Sequence, residues 1–160
     1  MIALVTAVLL VAFDQVSKLL CDIWLKSRQS IAIIPEVLNF TYVENRGAAF
    51  GMLTEHRWIF MVLSVIVIAV IAVLIVKFRK SHRLLCVSLG LLLGGGVGNM
   101  IDRIRLGYVI DFIDFRVFDF WKWVFNIADC GVTVGCALLI IYLLFFDGKN
   151  SVKTENKHND

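Results

Sequence analysis

The stretch that decides the fold is Trp58–Val76, WIFMVLSVIVIAVIAVLIV, which has nineteen residues and no charge. A helix needs about 20 apolar residues to cross the roughly 30 Å hydrocarbon core of a bilayer. Three other stretches are comparably apolar: Ile2–Leu25, Leu84–Ile101 and Val124–Phe146. Because lipid offers the backbone no hydrogen-bonding partner, we expect each of the four to be a membrane-spanning helix.

The composition of the whole chain agrees with this interpretation. Of its 160 residues, 59% are hydrophobic and 18% are charged, whereas soluble domains average about 25% charged residues. A soluble domain of this length has too little interior to bury so much apolar surface. The composition therefore excludes a soluble enzyme, a disordered chain and a nucleic-acid-binding protein, and it predicts an integral membrane protein.

The basic residues predict how the four helices are oriented. The link Lys77–Arg83 between the second and third helices holds four Lys or Arg residues in seven positions and no acid. The positive-inside rule places this link in the cytoplasm, so that both termini are cytoplasmic as well. We expect Ile2–Leu25 to be a retained helix rather than a cleaved signal peptide, because it lacks a basic n-region and Asp14 interrupts its apolar core.

The two loops on the other side are predicted to carry structure. Ile31–Phe50 is rich in β-forming residues and predicts a small extracytoplasmic β element within residues 27–56. Phe115–Val124 mixes aromatic and charged residues and predicts a short interfacial helix within the outer segment 104–124. The prediction is thus one mainly α membrane domain over residues 1–146, followed by a polar cytoplasmic tail, 147–160.

Most polar residues within or beside the spans fall toward the predicted outer face. Charged groups inside a membrane are costly, and their presence indicates a functional site. A single polar site at the outer membrane surface explains this one-sided distribution more economically than scattered structural contacts. The residues concerned are Asp14, Asn45, Asn99, Asp102, Arg103, Asp111, Asp114, Asn126 and Asp129.

Carboxylates are the reactive groups that this set has in surplus. Ser17 and Lys18 are adjacent and poorly placed to meet on a helix, and the histidines and four cysteines show no zinc-binding spacing. Two carboxylates that share one proton can act as base and acid together. One takes a proton from water while the other donates to a carbonyl oxygen. The pattern alone leaves Asp111 and Asp114 as alternatives.

Five motifs resemble the bacterial lipoprotein signal peptidases (signal peptidase II) in order and spacing. The resemblance covers residues 10–145, and it extends to chain length and to the four-span topology. The motifs are Asp14-Gln15-Val16-Ser17-Lys18, Asn45-Arg46-Gly47-Ala48-Ala49-Phe50-Gly51, Gly98-Asn99-Met100-Ile101-Asp102-Arg103, Val109-Ile110-Asp111-Phe112 and Phe125-Asn126-Ile127-Ala128-Asp129.

The resemblance implies an intramembrane-type aspartic endopeptidase without a metal or organic cofactor. Such enzymes remove the signal peptide from diacylglyceryl-modified prolipoproteins, cutting before the lipidated cysteine at the outer face of the bacterial cytoplasmic (inner) membrane. Membrane lipid and the cyclic peptide inhibitor globomycin are the other implied partners, and a monomer suffices. The family spacing selects Asp111 and Asp129 as the catalytic pair. The supporting or substrate-orienting residues would be Asp14, Lys18, Asn45, Asn99, Asp102, Arg103 and Asn126.

Two other functions compete with this interpretation. Buried carboxylates also serve as proton relays, so a small proton-coupled transporter is the first alternative. A transporter should carry polar residues near the midplane with access from both sides, but here the inner halves of the spans hold few. A non-enzymatic scaffold built on GxxxG helix packing is the second alternative. It would not require carboxylates and asparagines at one face.

Overall fold

The computed structural model describes residues 1–47, 57–116 and 123–147. These residues form four helices and four short strands, and the first helix ends in a π-helical turn, Cys21–Leu25. In chain order the elements are α1 (Ile2–Leu20), β1 (Ser30–Ile34), β2 (Leu38–Asn45), α2 (Arg57–Lys77), α3 (Arg83–Arg105), β3 (Val109–Phe115), β4 (Val124–Phe125) and α4 (Ile127–Phe145). The prediction of a mainly helical chain with a small β element is confirmed.

Three of the described helices have the length and composition of membrane spans. By these two criteria α3, α4 and the continuous helix Ile2–Leu25 can each cross a bilayer, and α2 contains a shorter apolar helix, Met61–Lys77. Many large apolar side chains on α1, α2 and α4 are exposed, as expected of surfaces that face lipid. Helix α4 begins later than predicted, because Val124 and Phe125 pair in β4 and Asn126 caps the helix.

Helix α3 is the central helix of the bundle, in contact with α1, α2 and α4. Half of the most apolar 18-residue stretch of α3 is buried, against 22% of the corresponding stretches of Ile2–Leu25 and α4. Glycines permit the close approach: a Cβ on Gly90 would lie 2.5 Å from the carbonyl oxygen of Ala3, and one on Gly94 would lie 2.8 Å from that of Ala7. Gly90 and Gly94 therefore form a GxxxG contact of α3 with α1.

The four strands form one antiparallel sheet in the order β1-β2-β3-β4. Strand β2 comes from the first loop and β3 from the second, and their register pairs Val43 with Asp111. Under the sheet, Leu25, Tyr42, Ile110 and Phe112 form a buried cluster. The sheet is thereby fixed to the end of the helix Ile2–Leu25.

The second loop differs from its prediction. Its described part contributes β3 and β4 to the sheet, whereas the sequence predicted only an interfacial segment over residues 104–124. Most of the predicted interfacial helix, residues 117–122, lies outside the described residues, as do residues 48–56 of the first loop and 148–160 of the polar tail.

Candidate active site

Five segments of the chain bring the predicted site residues together at one end of the helices. Helix α1 supplies Asp14 and Lys18, which lie one turn apart on the same face. Asn99, Asp102 and Arg103 occupy the last two turns of α3, next to the connection into β3. The end of β2, the start of β3 and the start of α4 supply the others, which are Asn45, Asp111, Asn126 and Asp129.

Asp111 is a buried carboxylate, with 2% of its surface exposed. Its Oδ2 accepts a hydrogen bond from the Asn45 side-chain amide at 2.8 Å, and its Oδ1 accepts one from the Asn126 amide at 2.5 Å. Burial raises the pKa of Asp111 to about 7; the Asn45 hydrogen bond opposes this rise, and the negative charge of Asp129 adds to it. Asp111 therefore keeps its proton to a higher pH than an ordinary aspartate.

Asp129 is held at the N-terminus of α4 by a reciprocal capping box. The side-chain oxygen of Asn126 accepts a hydrogen bond from the Asp129 backbone at 2.9 Å, and Oδ2 of Asp129 accepts one from the Asn126 backbone at 3.2 Å. Its Oδ1 accepts a hydrogen bond from the Asn99 side chain at 2.8 Å. Both oxygens of Asp129 are thus positioned by donors.

Asn126 links the two carboxylates. It is fully buried, and its amide nitrogen donates to Asp111 and also to Oδ1 of Asn99, at 3.1 Å. Its oxygen is already committed to the Asp129 backbone. Because every polar atom of this amide has a partner, its direction is fixed. Asn126 therefore contacts both carboxyl groups, that of Asp111 through its side-chain amide and that of Asp129 through its backbone N–H.

Asp114 lies in different surroundings from Asp111. The two residues are three apart on β3, so their side chains leave opposite faces of the strand. Oδ2 of Asp114 accepts a hydrogen bond from Thr41 at 2.7 Å and pairs with Arg116 at 2.8 Å. Asp111, and not Asp114, is therefore grouped with Asp129.

Asp14, Lys18 and Asp102 form a second buried group beside the first. Nζ of Lys18 lies 2.8 Å from Asp14 and 2.9 Å from Asp102, and all three side chains are at most 3% exposed. Ser17 does not share in this group, since its hydroxyl donates to the carbonyl oxygen of Asp14. The Lys18 ammonium group therefore contacts carboxylates and does not activate Ser17 as a nucleophile.

A surface recess borders the site. Arg103 is half-buried, lines this recess and donates to the carbonyl oxygen of Asn99 at 3.4 Å. Asn45, which holds Asp111, lines it too, so the recess lies next to the carboxylates. Its lining residues are Asn45, Arg46, Gly47, Met61, Arg103, Gly107 and Tyr108.

Comparison with known proteins shows the family of this chain. The family model described as "Signal peptidase (SPase) II" matches residues 6–145 of the chain, a range that contains all nine predicted site residues. The chain belongs to the signal peptidase II family. The resemblance inferred from the sequence motifs is thus confirmed, and the protein is a peptidase.

Relatives of this peptidase carry the corresponding name. The lipoprotein signal peptidase of Halothermothrix orenii is 46% identical over 87% of this chain and 92% of its own length. That of Clostridioides difficile is 42% identical over 94% of this chain and 99% of its own length. A solved structure described as a bacterial membrane enzyme superposes with a TM-score of 0.76 at 36% identity, over 89% of this chain and 87% of the other.

One contributor to the site was not singled out from the sequence. Gln15 donates to Oδ1 of Asp102 at 3.0 Å and to the carbonyl oxygen of Gly98 at 3.2 Å, so it ties α1 of the peptidase to α3. The signal was present, because Gln15 stands between Asp14 and Lys18 in the first motif. In the described part of the chain, no group of three or more His, Cys, Asp and Glu side chains is arranged to hold a metal ion.

Proposed function

We propose that this peptidase is an aspartic endopeptidase that removes the signal peptide from diacylglyceryl-modified prolipoproteins. It cuts before the lipidated cysteine, at the outer face of the bacterial cytoplasmic membrane. The observation that carries the proposal is the pair of carboxylates, Asp111 and Asp129, that both accept hydrogen bonds from Asn126, the first from its side-chain amide and the second from its backbone N–H. Family membership and the names of the relatives support the substrate class.

The two carboxylates divide the chemistry between them. Asp111 holds the shared proton near neutral pH, since its pKa is about 7. Asp129 takes a proton from a water molecule, whose oxygen attacks the scissile carbonyl carbon while Asp111 donates its proton to the carbonyl oxygen. The tetrahedral intermediate then collapses: its C–N bond breaks, the leaving amine takes the proton from Asp129, and a hydroxyl proton returns to Asp111.

The location of the site suits such a substrate. A signal helix with a lipidated cysteine presents its cut site at the outer surface of the membrane. The proposed catalytic pair lies where α3, α4 and the sheet meet, and the exposed apolar side chains of α1, α2 and α4 leave lipid chains free to approach from the side. The sheet is suited to cover the cut site and exclude bulk water.

Replacing either proposed catalytic carboxylate by its amide should abolish cleavage. Asp111→Asn and Asp129→Asn keep the side-chain shape but lose the shared proton, so kcat on a lipidated precursor should fall by about 10²- to 10⁴-fold. Purified variants are compared in a gel-shift assay, with thermal unfolding as the check on folding.

Asp114→Asn is the matched control, because Asp114 is a buried carboxylate on the same strand. It should retain most of the wild-type kcat. Wild-type turnover in both Asp111→Asn and Asp129→Asn would contradict the catalytic pair. Complete loss in folded Asp114→Asn would instead move the acid to the opposite face of β3.

The lipid on the substrate should govern cleavage. A diacylglyceryl-modified precursor and the same precursor without the lipid are offered to the purified peptidase, with and without globomycin. We expect kcat/KM to be at least about 100-fold higher for the lipidated form, since buried acyl carbons contribute about 0.8 kcal/mol each. Globomycin should suppress cleavage. Equal cleavage of the two precursors would refute the proposed substrate class.

A further inference from the structure

Lys18 lies at the centre of the buried polar network, with 2% of its surface exposed. Its Nζ contacts Oδ2 of Asp14 at 2.8 Å, Oδ2 of Asp102 at 2.9 Å and Oδ1 of Asn99 at 2.9 Å. An ammonium group has three hydrogen atoms to donate. All three have an acceptor here, which compensates in part for the cost of burying the charge.

The two carboxylates that Lys18 holds are also bound to backbone N–H groups. Oδ1 of Asp14 accepts a hydrogen bond from the backbone of Ala128 at 2.9 Å, and Ala128 immediately precedes Asp129. Oδ2 of Asp102 accepts one from the backbone of Ile110 at 3.3 Å, and Ile110 immediately precedes Asp111. The backbone before each proposed catalytic aspartate is therefore tied to a carboxylate that is paired with Lys18.

Lys18, together with Asn126, fixes the direction of the Asn99 amide, since both donate to its oxygen. Because an ammonium group can only donate, it requires the oxygen of Asn99 to face it. The nitrogen of Asn99 is then turned toward Asp129, to which it donates at 2.8 Å. A reversed amide would set two donors against each other at Lys18 and leave Oδ1 of Asp129 without this bond.

We propose that Lys18 is a positioning residue that sets the relative placement of Asp111 and Asp129. It acts on the first through Asp102 and the Ile110 backbone, and on the second through Asp14, the Ala128 backbone and the Asn99 amide. Lys18 contacts neither aspartate directly within hydrogen-bond distance and is not itself a catalytic residue. This inference rests on the aspartic mechanism proposed above.

The charge of Lys18 gives the role a second readout. Burial raises the pKa of Asp111, Asp129 raises it further, and the positive charge of Lys18 opposes both. The other charged groups around this site are Arg103 on α3 and the carboxylates of Asp14 and Asp102, which are paired with Lys18 in the wild type and lose that partner when its charge is removed. Removing the positive charge should move the loss of activity at alkaline pH to a higher pH.

The test is Lys18→Met, which keeps the length of the side chain and removes its charge and donors. The full-length protein is purified, and kcat, KM and the pH profile between 5 and 9 are measured on a lipidated precursor. We expect kcat to fall by about 100-fold, the loss typical of a displacement of about 1 Å in reacting groups. KM should stay within about threefold of the wild-type value. The decline of activity at alkaline pH (the alkaline limb of the pH profile) should move to a higher pH.

Lys26→Met is the matched control. Lys26 lies eight residues further along the same helical segment and pairs with Asp22, also four residues before it, but both side chains are more than 40% exposed. Its replacement should leave kcat, KM and the pH profile unchanged. Folded Lys18→Met with wild-type kcat and an unchanged alkaline limb would overturn the inference. A variant with a lower melting temperature but unchanged kcat and pH profile would overturn it too.

If Lys18→Met does not fold, Gln15→Leu decides. It removes the neutral donor to Oδ1 of Asp102 and leaves no buried charge without its partner. We expect about a 5- to 10-fold fall in kcat with unchanged KM, and an unchanged kcat would refute the inference. Asp129→Asn separates the two proposals: wild-type turnover there refutes the aspartic mechanism, whereas an inactive Asp129→Asn beside a wild-type Lys18→Met refutes the role of Lys18 alone.

Discussion

Asp111 and Asp114 show how strongly local surroundings determine what a carboxylate can do. Both are buried on one strand. Asp114 pairs with the cation of Arg116, whereas Asp111 receives only neutral amide donors among its hydrogen bonds and lies near another carboxylate. A proton is therefore retained on Asp111 near neutral pH, which is the condition that a general acid requires.

Activity should depend on pH through Asp111. The protonated carboxyl is the active form, so activity is present below the pKa of Asp111 and is lost as pH rises through about 7. Asn45→Ala removes a hydrogen bond that lowers this pKa, so the alkaline limb should move to higher pH. We expect kcat to fall by about two- to tenfold, since a hydrogen bond to the neutral, protonated carboxyl group contributes about 0.5–1.5 kcal/mol.

The measurement is a pH–rate profile of both proteins on the same lipidated precursor. Thr41→Val serves as the control, since Thr41 donates to Asp114 on the other face of β3. An alkaline limb that moves to lower pH in Asn45→Ala would show that Asp111 is not the group whose proton is required.

The sequence named the residues that the structure groups together, but it did not predict which hydrogen bonds connect them. All nine were named from polarity and motif, because polar groups are rare in apolar helices. The bonds from Asp14 to Ala128 and from Asp102 to Ile110 could not be predicted, since they join segments 114 and 8 residues apart and depend on how α1, α3, β3 and α4 pack.

The glycines of α3 set the distance between this helix and its neighbours. A Cβ on Gly98 would lie 2.6 Å from Oδ2 of Asp14. This oxygen also contacts Lys18. Close packing of α1 and α3 at Gly98 therefore determines where the buried ion pairs lie as well as how near the helix backbones are. The space next to the Cα atom of Gly98 is occupied by the Asp14 carboxylate.

Gly98→Ala should consequently lower both stability and activity. The added methyl group displaces Asp14, which is bonded to the Ala128 backbone, and overpacking of this kind costs about 1–3 kcal/mol. Thermal unfolding and cleavage of a lipidated precursor measure the two effects.

Gly96→Ala is the control on the same helix. Its Cβ would lie 3.1 Å from a side-chain carbon of Ile68, which can move aside. Since alanine is the better helix former by about 1 kcal/mol, this variant should be as stable as the wild type or more so. Equal melting temperatures for Gly98→Ala and the wild type would contradict the packing argument.

The elements themselves were predictable to different degrees. The four helices follow from long apolar runs, and their observed bounds lie within a few residues of the predicted ones. Strand β3 was not predicted, because VIDFIDF has its aspartates three residues apart and so lacks the alternation that marks a half-buried strand. Its pairing with β2, far along the chain, compensates for the weak local pattern.

The polar site and the basic link Lys77–Arg83 lie at opposite ends of α3. The site residues occupy its last turns, and the link leads into its first. If the basic link is cytoplasmic, as the positive-inside rule predicts, the site faces outward. The orientation remains a prediction from the basic residues, since it is defined by the two sides of a membrane.

Labelling of single cysteines would test this orientation. With the four native cysteines replaced by alanine, Ser27→Cys marks the end of the helix Ile2–Leu25 near the sheet and Ser81→Cys marks the basic link. A membrane-impermeant maleimide should label the first in intact spheroplasts and the second only after the membrane is opened. Labelling in the reverse pattern would invert the topology and place the site in the cytoplasm.

The pairing of β2 with β3 has a consequence for engineering the molecule. One strand comes from before α2 and α3 and the other from after them. A chimaera that exchanges only one outer loop with a relative would therefore break the register at Val43 and Asp111. Conversely, a chain cut at the link between α2 and α3 yields two fragments that each keep two helices and two strands, and β2 of one can still pair with β3 of the other. The protein is therefore a natural candidate for reassembly from separately expressed halves.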